Sequence, residues 1–387
     1  MRLIVQFKKI RRNDTKAQNN NRILPYLICL NYINVKTDMN NRDKHEWWTS
    51  LSKIWQKILL MNLAIDKKLK ESKTPNFSAF TTLTERYKRV LKEKFKIESI
   101  PITGQVIDDI LKLDNISCNG FPITDLHPVI DFDLLHLSIS GTSLADINEV
   151  SVFKNLEFIE LGHTICTELK PIQFLTNLKQ LYIDNTHIID LSPIKNLLNL
   201  EVLWCTICYL KDIRPVRKLK RLKNINFREN NIEDIKPLKG LKNLRMLYIC
   251  GNRVSDLTPL TDLDKLEFLS ADGNRIQNIR PLSNLTSLKT LYIQENFIST
   301  LTPLENLEAL KLLHCRNNNI KSLEPLRNKK NFEVLYCNSN QIESIEPLFA
   351  LKNLRSLCCY DNKISEVEID QLLNLNNKID RNKKCLI

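Results

Sequence analysis

Residues 241–262, LKNLRMLYICGNRVSDLTPLTD, form one copy of a phrase that recurs along most of this 387-residue chain. Its clearest marker is a proline that returns at intervals of 22 residues. Self-similarity at a fixed period of this length is typical of repeat arrays, in which each unit packs only against its neighbours. The sequence therefore predicts a stack of equivalent units. The prolines are Pro171, Pro193, Pro215, Pro237, Pro259, Pro281, Pro303, Pro325 and Pro347.

Pairs of apolar residues inside each phrase predict short β-strands. Leu247 and Ile249 are two residues apart, which is the spacing at which side chains of a strand point to the same side. One such unit cannot bury its apolar side alone, whereas a stack of parallel strands can. Twelve phrases predict twelve strands, opening near Ile116, Leu137, Ile159, Leu181, Leu203, Ile225, Leu247, Leu269, Leu291, Leu313, Leu335 and Leu357.

An asparagine in each later phrase predicts a tight corner after the strand. We expect its side chain to satisfy backbone groups that the corner leaves buried. Four earlier repeats replace it with Thr142, Thr164, Thr186 and Cys208; a threonine hydroxyl keeps part of this bonding capacity, and the thiol keeps little. The asparagines are Asn230, Asn252, Asn274, Asn296, Asn318 and Asn340, each seven residues before a proline, with Asn362 continuing the series.

A short polar residue stands three positions before most of the prolines. Such a side chain can cap a short helical turn, in which an early position suits proline because that position needs no N–H. We therefore interpret these carboxylates as caps and not as catalytic groups. The residues are Asp190, Asp212, Asp234 and Asp256, followed by Asn278, Thr300, Ser322 and Ser344.

The phrases LRMLYICGN and LKTLYIQEN resemble the leucine-rich repeat. The 22-residue length and the DLTPL ending are most similar to the internalin class of bacterial repeats and to the short-repeat class that includes regulatory subunits of protein phosphatases. The resemblance covers residues 113–376 and leaves 377–387 as a polar tail. It implies an α/β leucine-rich repeat solenoid: a curved parallel sheet, short helical or 3-10 turns on the convex side, an N-terminal α-helical cap, and protein binding on the concave face.

Residues between the strand leucines are predicted to face the concave side. One column contains several aromatic residues, and the neighbouring column contains charged ones. An exposed line of rigid aromatic side chains with arginines is typical of an interface, although lateral stacking between strands also uses aromatic residues. We favour partner binding by Tyr182, Trp204, Tyr248, Tyr292, His314 and Tyr336 in the first column and by Asp184, Arg228, Asp272, Arg316 and Tyr360 in the second.

The segment before the repeats carries all of the net charge of +13: residues 1–100 hold 22 Lys+Arg and 9 Asp+Glu, and the remainder holds 35 of each. Residues 1–38 predict a basic, disordered tail, or an upstream extension of a protein that begins at Met39. Residues 39–112 predict a helical cap, with one amphipathic helix from Asp43 to Ile65 that opens on a capping box of Asp43 and Glu46. Further helices are predicted over 79–95 and 105–113.

Eleven cysteines are scattered along the chain, a pattern that favours reduced, buried thiols over a disulfide framework. Cys205 and Cys208 have redox spacing but are predicted to lie in the core, as is the column of Cys315, Cys337 and Cys359. With 7 glycines there is no GxGxxG or GKS/GKT phosphate loop. His163 and His187 are interpreted as surface turn residues. We expect no catalytic site, cofactor or metal.

We therefore predict a non-enzymatic, monomeric, cytoplasmic bacterial scaffold that binds an unidentified protein. One alternative is a secreted or surface adhesin of the internalin kind, which the thiols and the lack of a recognisable signal segment argue against; the apolar run 23–35 is also too short to span a bilayer. A second alternative is binding of nucleic acid or an acidic partner through residues 1–100. Counterion release would make that binding fall steeply with salt.

Overall fold

The computed structural model describes residues 41–71 and 101–375. Within this part of the chain, twelve three-residue strands form one parallel sheet in which each strand pairs with the next in sequence. The predicted leucine-rich repeat solenoid is confirmed. The strands are β1 (Asn115–Ser117), β2 (His136–Ser138), β3 (Phe158–Glu160), β4 (Gln180–Tyr182), β5 (Val202–Trp204), β6 (Asn224–Asn226), β7 (Met246–Tyr248), β8 (Phe268–Ser270), β9 (Thr290–Tyr292), β10 (Leu312–His314), β11 (Val334–Tyr336) and β12 (Ser356–Cys358).

The strands share one register along the whole sheet. Leu247, the middle residue of β7, pairs with Ile225 on one side and Leu269 on the other, and all three side chains are fully buried. Each predicted strand opening turns out to be the middle residue of its strand, so every strand begins one residue earlier than expected. The flanking residues of each strand point away from the core, since side chains alternate along a strand.

Short 3-10 helices return the chain along the opposite side of the array. The polar residue before each proline caps them as predicted: in one repeat Asp234 Oδ1 accepts the N–H of Lys236 at 2.8 Å, and Asn278 and Ser322 do the same for the N–H two residues on. The 3-10 helices are His127–Val129, Asn148–Val152, Lys170–Ile172, Ser192–Asn196, Arg214–Lys218, Lys236–Leu238, Thr258–Leu260, Arg280–Leu282, Thr302–Leu304, Glu324–Leu326 and Glu346–Leu348.

The asparagines that follow β6 to β12 form a ladder of buried and half-buried amides, as predicted. Asn252 Nδ2 lies 2.9 Å from Phe227 O, 3.0 Å from Ile249 O and 3.2 Å from Cys250 O, and Asn252 Oδ1 accepts the N–H of Ile232 at 3.0 Å. Each amide thereby joins its own corner to the preceding repeat. The same pattern is made by Asn230, Asn274, Asn296, Asn318, Asn340 and Asn362.

Repeats without asparagine keep only part of this bonding. The hydroxyl of Thr164 donates to Leu161 O at 2.7 Å within its own corner. The Cys208 thiol lies 3.1 Å from Ile183 O, and the Cys208 N–H is instead satisfied by Asn230 Oδ1 of the next repeat. The N–H of Ile188, which an asparagine at position 208 would accept, is left with a long bond of 3.4 Å to Thr186 Oγ1.

Helices cover the first strand, and their boundaries differ from the prediction. Instead of one helix there are two, α1 (Asn41–Ser50) and α2 (Lys53–Glu71), separated by a bend at Leu51 and Ser52. Asp43 already lies inside α1 and Glu46 pairs with Arg42, so the predicted capping box is wrong. A third helix, α3 (Gly104–Leu111), is capped by Thr103 and matches the helix predicted near residue 105.

The packing of α2 against β1 explains how the open end of the sheet is closed. Trp55 and Ile58 of α2 are buried in the same apolar cluster as Ile116 of β1. Asn62, which is 2% exposed, donates through Nδ2 to Ser117 O at 3.0 Å and accepts the Ser117 N–H through Oδ1 at 2.8 Å. A single side-chain amide thus takes the place of a neighbouring strand at the sheet edge, where unpaired backbone groups would otherwise be buried.

The other end of the sheet is covered by α4 (Glu366–Leu375), which the sequence analysis did not predict. Ile369 and Leu372 of this helix are buried in the same core. The predicted helix over 79–95, the tail 1–38 and the tail 377–387 lie outside the described residues. Among the described helices, none has the length and apolar character needed to cross a membrane.

Replacing Asn252 with Ala should lower the free energy of unfolding by about 1 to 3 kcal/mol, because four buried backbone groups lose a hydrogen-bond partner. The measurement is a urea denaturation midpoint. Asn319→Ala provides the control, since Asn319 is exposed and such a surface change typically stays within about 0.5 kcal/mol. An unchanged midpoint for Asn252→Ala would contradict the structural role of the ladder.

Candidate protein-interaction face

The concave face is formed by the first and third residues of each strand and by the residue two positions further on. The shared register aligns each of these positions into a column that runs across the sheet. The structure places all eleven predicted partner-binding residues in the third-residue column or in the next one: Tyr182, Trp204, Tyr248, Tyr292, His314 and Tyr336 end their strands, and Asp184, Arg228, Asp272, Arg316 and Tyr360 follow two residues later.

Aromatic rings on this face form two stacks, which we call the first and second aromatic ladders. The first ladder runs through His136, Phe158, Tyr182 and Trp204, with successive ring centroids 6.0, 5.3 and 5.2 Å apart. Most rings in it are partly covered by their neighbours, and Trp204 at its end is 36% exposed. Pairs at this separation and tilt contribute about 0.5 to 1.5 kcal/mol beyond their area burial.

The second aromatic ladder is longer. Its members are Tyr248, Phe268, Tyr292, His314 and Tyr336, with centroids 4.6, 5.7, 5.8 and 5.2 Å apart. The two ladders are separated at β6, whose outward residues are asparagines. The aromatic residues therefore do stack laterally between strands, which was the alternative to partner binding. They also remain partly exposed, since the rings of the second ladder are all of intermediate burial.

The sequence analysis missed Phe158, which lies between His136 and Tyr182, and Phe268, which lies between Tyr248 and Tyr292. Both are the first residue of a strand and therefore share the outward face with the third residue of that strand. The signal was present, because side chains two apart on a strand point the same way. The prediction considered only the outward positions that come after the first buried leucine of each strand. It omitted the outward position directly before that leucine.

The charged column is mostly paired within the chain. Arg228 Nε lies 2.8 Å from Glu229 Oε1, and Arg316 Nη2 lies 2.8 Å from Glu295 Oε1. Asp184 Oδ1 accepts both the N–H and the hydroxyl of Thr206 at 2.8 and 2.7 Å. These pairs hold the side chains in place, and being exposed they add little to stability.

Asp272 lies in a depression of about 450 Å³ on the concave face. Tyr248, Phe268 and Tyr292 line one part of it, and Ser270 and Gln294 line another. Asp272 Oδ1 accepts a hydrogen bond from Ser270 Oγ at 2.7 Å. Gly251 and Gly273 form part of its border with φ of 63° and 59°, a left-handed conformation that glycine adopts without strain.

Burial disfavours the charged forms of two tyrosines and two histidines of the ladders. Loss of solvent raises the pKa of Tyr182 to about 12, helped by the nearby carboxylates Glu160 and Asp184, and it also raises the pKa of Tyr248. For the imidazoles burial acts in the opposite direction: it lowers the pKa of His136 to about 4 and depresses the pKa of His314, where Arg316 adds to the effect. The charge of this face therefore comes from its carboxylates and guanidinium groups.

The five cysteines that were predicted to be buried lie in the core: Cys205, Cys208, Cys315, Cys337 and Cys359. Cys205, Cys315 and Cys337 are fully buried, and burial holds the pKa of each thiol well above its ordinary value. A thiol in this environment is a poor nucleophile, because the thiolate is the reactive form. His163 lies at an exposed corner beside Asn185, and within residues 41–71 and 101–375 no group of three His, Cys, Asp or Glu side chains could hold a metal ion.

Comparison with known proteins supports the assignment of the repeat. The family described as leucine-rich repeats (2 copies) matches residues 220–262, 264–306 and 308–350. Comparison with curated proteins finds no match. Among solved structures, the internalin InlF of Listeria monocytogenes is 26% identical, with a TM-score of 0.67 over 77% of this chain and 86% of that one.

Two further structures share the fold at lower identity. The functional domain of InlJ from Listeria monocytogenes, which includes a cysteine ladder, is 18% identical with a TM-score of 0.56, covering 70% of this chain and 67% of that one. The plant peptide hormone receptor RGFR1, in complex with RGF2, is 18% identical with a TM-score of 0.56, covering 68% of this chain and 50% of that one. Residues 220–350 therefore match the leucine-rich repeat family, and the chain resembles the internalins in its fold and in its 22-residue repeats.

Proposed function

We propose that this chain is a scaffold that binds a partner protein on its concave face. The observation that carries the proposal is the pair of aromatic ladders, which hold rings at centroid distances of 4.6 to 6.0 Å on an outward surface. Soluble proteins rarely leave aligned aromatic side chains exposed without a binding role, and tyrosine, tryptophan and arginine are the residue types enriched at the centres of interfaces.

The internal contacts of the ladders support binding as well as stability. Because each ring is held by its neighbours, its rotamer is fixed before a partner arrives, and association loses less side-chain entropy. The ion pairs of Arg228 and Arg316 have the same effect on the long side chains of the charged column. The face is thus a rigid surface with apolar strips and fixed polar groups.

The similar structures support a binding role of the same kind. InlF resembles the whole array, and the receptor RGFR1 is seen in complex with RGF2. From these structures we take only that such an array engages another polypeptide. We further propose that the chain acts as a monomeric, non-enzymatic scaffold. Binding of nucleic acid through residues 1–100 stays a prediction, because most of that segment lies outside the described residues.

We also propose that the protein works in a bacterial cytoplasm. Seven cysteines of the described residues are buried free thiols, which supports a reducing compartment: Cys118, Cys166, Cys205, Cys208, Cys250, Cys315 and Cys337. The alternative is a surface adhesin similar to internalins. Fractionation of native cells followed by immunoblotting should find the protein in the cytoplasmic fraction, and its recovery with surface or secreted material would favour the adhesin.

The double variant Tyr248→Ala, Tyr292→Ala should keep the fold, losing about 1 to 3 kcal/mol of unfolding free energy as three aromatic contacts disappear. Leu247→Ala, one residue away but fully buried, should lose about 2 to 5 kcal/mol by itself. Urea denaturation compares the two. If the double variant loses more than Leu247→Ala, the ladder is mainly structural.

The same double variant tests partner binding. The immobilised wild-type chain should capture from native lysate a protein that the double variant captures at least about ten-fold less, as expected for the loss of two central aromatic residues. The matched control is Phe174→Ala, Leu198→Ala, which removes two exposed apolar side chains next to the 3-10 helices and should leave capture unchanged. Equal capture by the wild type and the Tyr248, Tyr292 variant would overturn the concave-face proposal.

A further inference from the structure

The depression on the second aromatic ladder has features that select one kind of side chain. Two of its borders are formed by Glu229 and Glu295, each paired with an arginine, and between them Gly251 and Gly273 leave the entrance free of side chains. A group from a partner can therefore reach its floor without displacing a side chain at these two positions.

Asp272 gives the depression an excess negative charge. In the described part of the chain both nearby arginines are taken by other carboxylates, Arg228 by Glu229 and Arg316 by Glu295, and neither forms an ion pair with Asp272. The hydroxyl of Ser270 donates to Asp272 Oδ1, and Ser270 is itself 6% exposed. Arg228 lies near enough to interact electrostatically with Asp272, but this carboxylate has no direct ion pair among the described residues, and in a partly enclosed site its attraction for a further cation is stronger than in open solvent.

A second acceptor lies beside this carboxylate. Gln294 lines the same depression, and its Oε1 is buried without a hydrogen-bond partner among the described residues, as is Arg316 Nε one repeat further on. Gln294 stands one repeat after Asp272 in the same column, so their backbones are separated by the strand spacing of about 4.8 Å. Two adjacent acceptors match a donor group that can form hydrogen bonds in two directions.

The aromatic part of the depression favours a flat cation. Phe268 lies between Tyr248 and Tyr292, with centroids 4.6 and 5.7 Å away. Aromatic faces attract cations, and a guanidinium group stacks on them while its five N–H donors reach acceptors in its own plane. An ammonium group is more strongly hydrated and presents no plane, so it matches this combination less well.

We propose that this depression is the pocket for an arginine side chain of the partner protein. The guanidinium lies against the rings of Tyr248 and Tyr292 and donates to Asp272 and to Gln294 Oε1. The inference rests on the proposed function of the concave face and adds to it the chemistry of the anchor: the partner presents an arginine on a surface that enters the array.

Binding of short peptides to the full chain tests the pocket directly. The probes are capped tripeptides, acetyl-Gly-Xaa-Gly-amide, in which Xaa is arginine, citrulline, lysine or leucine, measured by saturation-transfer NMR. Citrulline keeps the shape of arginine and removes its charge. The arginine peptide should bind with an affinity in the millimolar range and about ten-fold more tightly than each of the other three, as expected for a charge-assisted contact.

Two variants assign the binding to this site. Asp272→Asn should weaken the arginine peptide about ten-fold, whereas Asp264→Asn, the same change at an exposed turn before β8, should leave it unchanged. Gln294→Met should weaken it several-fold without lowering the urea midpoint, because the substitution removes an acceptor that has no partner in the free protein. A role in folding alone would not produce this separation.

The experiments distinguish failure of the arginine pocket from failure of the proposed binding by the concave face. Absence of arginine-peptide binding, equal binding of citrulline, lysine or leucine, or full binding by Asp272→Asn overturns the arginine pocket. If partner capture still depends on Tyr248 and Tyr292 in that case, the concave-face function stands without it. If the arginine peptide binds as expected while capture is indifferent to those tyrosines, the depression binds a guanidinium group, but the proposed function fails and with it the role of the depression as the anchor point of a partner protein.

Discussion

The asparagine ladder is the constraint on which the rest of the array depends. Asn252 donates to Ile249 O in its own repeat and to Phe227 O in the preceding one, and the N–H of Ile232 returns a bond to its Oδ1. Because these groups are in the interior, a repeat that was one residue longer or shorter would leave several of them unpaired. In the repeats from Asn230 to Asn362 the ladder therefore restricts the corner after each strand to one length and, with it, the register of the strands.

A fixed register has a direct consequence for the concave face. Equivalent side chains of successive repeats stand one strand spacing apart, so an aromatic residue at an outward position meets the ring of the next repeat. Stacking and binding are for this reason not competing explanations of Tyr182 or Tyr248. Contact with Phe158 or Phe268 fixes each ring, while the partial exposure of the ladder leaves a surface for a partner. A surface that is already ordered gives a partner more of its contact energy as affinity.

The sequence predicted the structural features that recur in every 22-residue repeat. Strand positions, corner asparagines and capping residues such as Asp234 followed from one phrase, because each is a local requirement that every unit must meet. Features that depend on contacts outside the period were missed. The break between α1 and α2 falls within a continuous apolar stripe, and the bonds of Asn62 to Ser117 join residues 55 positions apart. The outward direction of the Phe268 side chain could be predicted from its position in the strand. Its contacts with two tyrosines could be predicted only from the register of three successive repeats.

The state of Gln294 indicates how the face discriminates between partners. A buried acceptor without a partner lowers the stability of the free protein, and a ligand that supplies a donor recovers this loss, whereas an apolar group of the same size does not. A site with such a group rejects the wrong side chain more strongly than an apolar surface can, because mismatched binding leaves both the acceptor and Asp272 desolvated and unpaired. In the proposed binding mode, the aromatic ladders supply contact area, and the polar floor of the depression restricts which partners bind. The specificity that we propose for this face therefore depends on a few groups that the repeat pattern does not require.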